Sequence, residues 1–309
     1  MRIYYTDHFE LPLPPKHRFP MSKYRLLRER IVRSDDHLQD TLLVPPAATD
    51  SQLLRCHTAR YLEAVKQGTL TPAEVRRIGF PWSVKLVERS RRSTGATIAA
   101  SRAALDDSVA VNLAGGTHHA MSDTGEGYCV FNDAAVAIRT MQHEGKIRRA
   151  CVIDLDVHQG NGTAQILRGD SSTFTLSIHG VKNFPLRKTA GDLDIALPDG
   201  TDDAAYLRAL ANALDQVSEN GPFQLAVYLA GADPFVHDRL GRLSLTMQGL
   251  QRRDQQVVDW CRSQEIAVAI AMAGGYAAEP SQIVEIHAAT VRTASLRGQK
   301  QSGSTFAAH

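Results

Sequence analysis

Cysteine is scarce in this 309-residue chain, and its four cysteines form no CxxC pair. They are Cys56, Cys129, Cys151 and Cys261. Such wide spacing argues against a disulfide framework and against a thiolate zinc site. Because the N-terminus also lacks the apolar segment of a secretion signal, we expect the protein in the reducing cytoplasm.

Long apolar runs and an excess of one charge are also missing. No stretch approaches 18 uninterrupted apolar residues, so nothing predicts a membrane-spanning helix. The 35 Lys and Arg residues nearly balance the 33 Asp and Glu residues, which gives no strong field for nucleic acid or an anionic membrane. The G-x-S-x-G and P-loop patterns are absent too, which lowers support for serine acyl transfer and nucleotide hydrolysis. We therefore expect neither nucleic acid nor membrane as a partner.

Apolar, strand-like runs alternate with helical patterns along most of the chain. The predicted strands are 2–6, 109–113, 150–155, 174–178, 225–230 and 266–272. The predicted helices are 21–32, 50–67, 133–143, 203–217, 246–263 and 283–296, with another that runs from a cap at Ser83 to about 105. Apolar strands joined by helices predict a parallel sheet covered on both faces. No repeat or linker interrupts the pattern, so we expect one α/β domain over 1–297 and a frayed tail at 298–309.

The most informative stretch is 151–163, Cys-Val-Ile-Asp-Leu-Asp-Val-His-Gln-Gly-Asn-Gly-Thr. An apolar strand ends there in Asp154, Asp156 and His158, followed by a glycine-containing turn. The carboxyl end of a strand is where an open parallel sheet places its site. Carboxylates beside an imidazole suit a divalent cation, Zn²⁺ first, with Fe²⁺ and Mn²⁺ as alternatives. The plain alternative is that the aspartates only cap the next helix.

Three further predicted strands end in glycine-containing turns with unusual polar residues. They are Ala-Gly-Gly-Thr-His-His at 114–119, Gly-Ala-Asp-Pro at 231–234 and Ala-Gly-Gly-Tyr at 273–276. Because parallel strands point their carboxyl ends the same way, we expect all these turns at one edge of the sheet. Alone, Asp233 is typical of a turn and Tyr276 of packing. Together, the turns offer metal ligands, two imidazoles and a phenol, which suit metal-assisted hydrolysis.

Taken in order, these motifs resemble those of the zinc-dependent histone deacetylase superfamily. The likeness covers about residues 1–297 and includes Gly-Tyr-Cys-Val-Phe-Asn-Asp at 127–133. Gln159, where many members carry a second histidine, looks like the class IV branch and its bacterial relatives, as does the stretch 17–24. The resemblance implies the arginase/deacetylase fold, a single three-layer α/β domain with a mostly parallel sheet of about eight strands.

The resemblance also implies the bound ions. One Zn²⁺ per chain, with Fe²⁺ as an alternative, would be held by Asp156, His158 and Asp233. A structural monovalent cation such as K⁺ would lie near Asp154 and Ser177.

Family members use two histidines and a tyrosine in the reaction, and the resemblance assigns those roles here. His119 would be the general base toward the attacking water and then protonate the leaving amine, with His118 as its electrostatic partner. Tyr276 would donate to the carbonyl oxygen as it becomes an oxyanion. Asp154 and Asn161 would orient the two histidines. Some members carry Asp in place of Asn161, so we expect His119 to lack a charged partner and to be less basic.

The walls of the substrate tunnel are implied as well. Tyr128 stands where the family usually has Phe, which adds a hydroxyl to an apolar wall. Gly127, Phe184 and Gly275 complete the predicted substrate-binding set.

The leading hypothesis is therefore hydrolysis of an acyl-lysine amide of a protein. A two-metal ureohydrolase of the same fold would need carboxylates where Gly160 and Phe235 stand, so one metal is favoured. The alternatives are deacetylation of a small acetylated amine, such as a polyamine, and an acyl-lysine binding module without turnover. Retention of Tyr276 and both histidines argues against the binding module. The acyl length, the physiological substrate, the metal used in the cell and the oligomeric state are left open.

Overall fold

One sheet of eight strands organises the computed structural model, which describes residues 1–15, 17–37 and 40–297. The predicted tail at 298–309 lies outside the described residues. The strands are β1 (Arg2–Tyr4), β2 (Thr41–Leu43), β3 (Val109–Asn112), β4 (Ala150–Asp154), β5 (Thr173–Gly180), β6 (Leu193–Leu197), β7 (Leu225–Leu229) and β8 (Ala267–Ala271). Their order is β2-β1-β3-β8-β7-β4-β5-β6, and each neighbouring pair is parallel. The prediction of a parallel sheet is confirmed.

Helices connect these strands and cover them. They are α1 (Lys23–Val32), α2 (Asp50–Leu53), α3 (Ala59–Gln67), α4 (Pro72–Ile78), α5 (Val84–Asp107), α6 (Asp133–His143), α7 (Asn161–Leu167), α8 (Asp203–Glu219), α9 (Met247–Ser263) and α10 (Pro280–Arg297). Short 3-10 turns occupy Asp7–Phe9 and Asp35–His37. In the described part of the chain, no helix combines the length and the apolarity needed to cross a bilayer.

Local capping explains where several helices begin. The side chains of Ser83, Asn132 and Thr246 accept hydrogen bonds from the first turns of α5, α6 and α9, as expected of N-cap residues. The prediction of a single helix over 50–67 was wrong. Helix α2 ends at Leu53, and Thr58 caps a separate helix, α3, that begins at Ala59.

Two hydrophobic cores flank the sheet because successive strand side chains point to opposite faces. In β4, Ala150 and Val152 pack into the core beneath α5 and α6, whereas Cys151 and Ile153 pack into the core beneath α1, α8, α9 and α10. The sheet is thus the middle of three layers, as predicted.

The four strands whose turns carry the unusual polar residues are neighbours in the sheet. Their order is β3-β8-β7-β4, so the carboxyl ends of all four lie side by side. This adjacency brings residues more than 100 positions apart into one crevice, as between Gly274 and Asp156.

Candidate active site

Asp156, His158 and Asp233 meet at the carboxyl ends of β4 and β7. One candidate ligand atom from each residue lies within 4.8 Å of the others. His158 Nδ1 is 2.9 Å from Asp156 Oδ1 and 3.2 Å from Asp233 Oδ2. Two carboxylates and one imidazole are a donor set that suits Zn²⁺.

The two carboxylates of this triad are held differently. Asp156 Oδ2 accepts a hydrogen bond of 2.6 Å from the amide of Gly274, and Oδ1 accepts one from the amide of His158. Asp233 Oδ1 accepts from the amide of Val157. Asp233 Oδ2 is buried without a hydrogen-bond partner, because His158 Nδ1 is directed at Asp156 instead.

That unpartnered oxygen fits a cation site. A buried acceptor without a donor is costly, and a metal ion would remove the cost. Burial, together with the neighbouring charge of Asp156, raises the pKa of Asp233 to about 7, so the carboxylate favours a bound proton or cation. Space is kept open by Gly274, where a Cβ atom would meet Asp156 Oδ2 at 2.5 Å and would overlap Asp233 Oδ2. The residues present therefore fit the implied metal.

The tandem histidines lie beside the triad, with ring centroids 4.1 Å apart. His118 Nδ1 donates to Asp154 Oδ2 over 2.6 Å, and His119 Nδ1 donates to Asn161 Oδ1 over 2.7 Å. Asp154 and Asn161 thus contact the two histidines that, by the family resemblance, they would orient.

The two imidazoles differ in proton affinity. Burial lowers the pKa of His118, but the charges of Asp154 and Asp156 outweigh burial and raise it to about 9. For His119, burial and the nearby charges of His118 and His158 hold the pKa well below its usual value. A neutral His119 is suited to accept a proton.

A buried carboxylate fixes the loop that carries these histidines. Asp133, at the start of α6, accepts hydrogen bonds from the amides of Gly116 and Thr117 at 3.0 and 2.8 Å. The Thr117 hydroxyl also donates to it. This role of Asp133 was not predicted from the sequence, although the residue ends the motif at 127–133.

Tyr276 stands across the crevice, with its ring centroid 6.3 Å from that of His158. Its hydroxyl is a donor, because burial holds its pKa well above the usual value. The buried ammonium of Lys23 lies 3.4 Å from the carbonyls of Ala273 and Gly275 and stabilises this turn. This role of Lys23 was not predicted, because its contact with Ala273 spans 250 positions of the sequence.

A cavity of about 300 Å³ leads to this group, and it is lined by His119, Gly127, Tyr128, His158, Phe184 and Tyr276, among others. The Phe184 ring packs edge-on against that of His119, with centroids 4.9 Å apart. Three of the four predicted substrate-binding residues therefore line the cavity. In the described chain Gly275 does not, since it packs against Ile283 behind the turn.

Gln159 holds the loop on which Phe184 lies. Its side chain donates to the carbonyl of Thr189 at 2.9 Å and to Asp194 at 2.7 Å, and it accepts from the Thr189 amide. From the sequence, Gln159 was noted only for its likeness to the class IV branch, so its hydrogen bonds to this loop were not predicted.

The residues predicted to bind a monovalent cation lie on β4 and β5. Asp154 and Ser177 are direct cross-strand partners in β4 and β5. Ser177 Oγ is 2.9 Å from His179 Nδ1. A cation between these strands stays a prediction.

Comparisons with known proteins identify the family of this chain. A family model described as the histone deacetylase domain matches residues 17–292. An uncharacterised protein of Picosynechococcus sp. is 42% identical over 293 residues, covering 94% of this chain and 97% of the relative. Histone deacetylase 2 of Arabidopsis thaliana is 30% identical over 296 residues, covering 91% and 76%. The crystal structure of the HDA15 HD domain shares the fold, with a TM-score of 0.81 at 19% identity, covering 96% of this chain and 92% of its own. This chain belongs to the histone deacetylase family.

Proposed function

We propose that this protein is a zinc-dependent hydrolase that removes an acyl group from a lysine side chain. The observation that carries the proposal is the buried Oδ2 of Asp233, which has no hydrogen-bond partner and lies beside His158. His158 lines a cavity that also reaches His119 and Tyr276. Zn²⁺ held by Asp156, His158 and Asp233 would supply Lewis-acid polarisation there.

The side chains of the protein would carry out the proton transfers and stabilise the negative charge. His119, neutral and held through Nδ1, takes the proton of the attacking water at Nε2 and returns it to the leaving amine. His118 keeps its proton against Asp154 and stabilises negative charge nearby. The Tyr276 hydroxyl donates to the oxyanion, a contact typically worth ~3 kcal/mol.

The rim of the cavity favours a lysine within a protein over a free polyamine. Lys182 and Arg242 line the mouth with side chains that are 70% and 56% exposed, and both lie 3.4 Å from the single carboxylate of Asp199. A polycationic substrate would therefore meet charges of its own sign. The exposed apolar side chain of Leu186 lies on the same loop as Phe184 and suits contact with a polypeptide.

We also propose a cytoplasmic location and membership of the class IV branch. All four cysteines are free and buried, as in a reducing compartment. Gln159 and the stretch 17–24 support the class IV assignment.

The test is a panel of substrates offered to the purified, zinc-loaded chain. The panel contains lysine peptides with acyl groups from acetyl to myristoyl, together with acetylated polyamines. We expect turnover of acyl-lysine peptides and a loss of about 10²- to 10³-fold in kcat for Tyr276→Phe. Tyr5→Phe, at a half-buried ring that packs on His8, is the matched control and should change nothing. Preference for the polyamines, or full activity of Tyr276→Phe, would overturn the proposal.

A further inference from the structure

A carboxylate outside the predicted site lies directly behind the catalytic histidine pair. Glu126 Oε1 is 2.6 Å from Nδ2 of Asn161, whose Oδ1 is 2.7 Å from His119 Nδ1. We propose that Glu126 is a positioning residue that fixes the Asn161 amide and thereby keeps the proton of His119 on Nδ1. This inference rests on the proposed function and assigns a further residue to the same site.

Each of these three side chains is limited in the hydrogen bonds that it can donate and accept. A carboxylate only accepts hydrogen bonds, so Glu126 requires the NH₂ end of the Asn161 amide to face it. The carbonyl end must then face His119. Because that carbonyl only accepts, the facing nitrogen of His119 must carry the hydrogen. A neutral imidazole protonated at Nδ1 has its lone pair at Nε2, which is the form a general base needs.

Asn161 alone would not give this result. Its two amide ends have nearly the same shape, and the reversed amide would offer a donor to His119 and stabilise the other tautomer. Reversal in the presence of Glu126 would instead place two oxygen atoms 2.6 Å apart. Glu126 therefore selects one of two orientations that packing does not distinguish.

The tautomer of the neighbouring His118 is fixed more directly. His118 Nδ1 donates straight to the carboxylate of Asp154, so no intermediate group has to be oriented. For His119, the carboxylate of Glu126 acts through the side-chain amide of Asn161, which lies between the two residues.

The surroundings leave Glu126 free for this task. Its Oε1 accepts from the Asn161 amide, and its backbone carbonyl accepts from the Cys129 amide at 2.9 Å in a tight turn. Gly127 follows, with its amide bound to the carbonyl of Arg77. Asn161 is 2% exposed, so little solvent competes for its amide.

The decisive experiment reverses the polarity of the pair in a double-mutant cycle on the zinc-loaded chain. Glu126→Gln replaces the carboxylate by an amide that can donate or accept, so it no longer dictates the orientation of Asn161. We expect kcat to fall about tenfold with little change in KM. Asn161→Asp alone places two carboxylates against each other and should be worse.

The double variant Glu126→Gln, Asn161→Asp should recover activity. The carboxylate then faces His119 and the amide behind it donates, so the proton is again required on Nδ1. A merely structural role for Glu126 predicts no such recovery, because both changes would add their losses. Recovery to within about threefold of the parent protein supports the proposal, and additive losses overturn it.

A second readout reports the tautomer itself. Nitrogen-15 NMR of histidine-labelled, zinc-loaded protein distinguishes Nδ1–H from Nε2–H, and the His119→Gln spectrum identifies the signals of His119. We expect Nδ1–H in the parent protein and in the double variant, and a loss of that preference in Glu126→Gln.

This readout does not depend on turnover, so it separates failure of the inference from failure of the proposed function. A parent protein without activity toward any substrate contradicts the function and leaves the tautomer test in force. An unchanged tautomer in Glu126→Gln overturns the inference even if acyl-lysine is the substrate. If Asn161→Asp does not fold, the tautomer in Glu126→Gln decides alone. Glu63→Gln, at an exposed carboxylate paired with Lys66, is the control and should alter neither readout.

Discussion

Gly127 packs against the imidazole of His119, so closely that a Cβ atom at position 127 would lie 2.5 Å from Cδ2 of that ring. The backbone of Gly127 also has a φ of 57°, a value that residues other than glycine rarely adopt. The alignment of the proposed base thus depends on the absence of a side chain beside it.

The first prediction concerns that contact. Gly127→Ala should lower kcat/KM by more than about tenfold, because a displaced base loses catalytic alignment. Gly145→Ala is the matched control, since Gly145 has a φ of 68° but no atom within 4 Å of an added Cβ. Both variants carry the backbone strain, and only the first should lose activity. Equal loss in steady-state assays of the two would contradict the assignment.

The second prediction concerns the buried charge of the metal triad. Asp233→Asn should raise the thermal midpoint of the metal-stripped protein, because the amide removes the charge of a buried carboxylate whose Oδ2 has no hydrogen-bond partner. The same change should abolish the rise in midpoint that zinc gives the parent protein. Thermal denaturation with and without zinc measures both effects. Asp106→Asn, at an exposed carboxylate, should respond to zinc as the parent does, and a zinc response retained by Asp233→Asn would count against the triad.

The third prediction concerns Gln159 and the loop that it ties down. Gln159→Ala removes the hydrogen bonds to Thr189 and Asp194, so Phe184 loses its support at the cavity wall. We expect KM for an acyl-lysine peptide to rise several-fold with a smaller change in kcat, since uniform binding is lost. Gln216→Ala on the exposed face of α8 is the control. A pure loss of kcat would show that the loop serves the chemistry instead.

The fourth prediction concerns stability toward acid at His57, which is buried beside the histidine loop. His57 Nδ1 donates to the carbonyl of Met121, and Nε2 accepts from the amide of Asn132. Burial lowers the pKa of His57 from its usual 6.5 to about 4. Since the unfolded chain then binds the proton more readily, His57 makes the free energy of unfolding fall as pH drops from about 6.5 towards 4.

Denaturant unfolding at pH 7 and pH 5 measures this effect. The loss of stability between the two should be about 2 kcal/mol smaller in His57→Gln than in the parent. His143→Gln, at an exposed position, should keep the parental loss. Identical losses in all three proteins would contradict the account of His57.

The strands around the site were predictable because each is an apolar run that stops at a glycine-containing turn. The strand β6 was not predicted, because it is an edge strand with alternating exposure and no continuous apolar run. The strand β2 has only three residues. The helix α7 has only seven residues and begins within the motif at 151–163. A capping box at Thr71 and Glu74 marks the start of α4, although α4 was not predicted.

The proposed metal ligands and the tandem histidines could be found in the sequence because their residue types are unusual at strand ends. The residues that hold them could not, because ordinary residue types act there through contacts distant in sequence. Glu126 reaches Asn161 across 35 positions, and Lys23 reaches the Tyr276 turn across 250. Such partners follow from the packing of loops, which periodicity does not encode.

The most direct test of the central claim is a zinc titration of the chelator-stripped chain, followed by hydrolysis of an acetyl-lysine peptide. We predict that activity is lost on stripping and returns in proportion to added zinc until one ion per chain is bound, and that Asp233→Asn does not recover. Full activity of the stripped protein, or recovery in Asp233→Asn equal to that of the parent, would contradict the account.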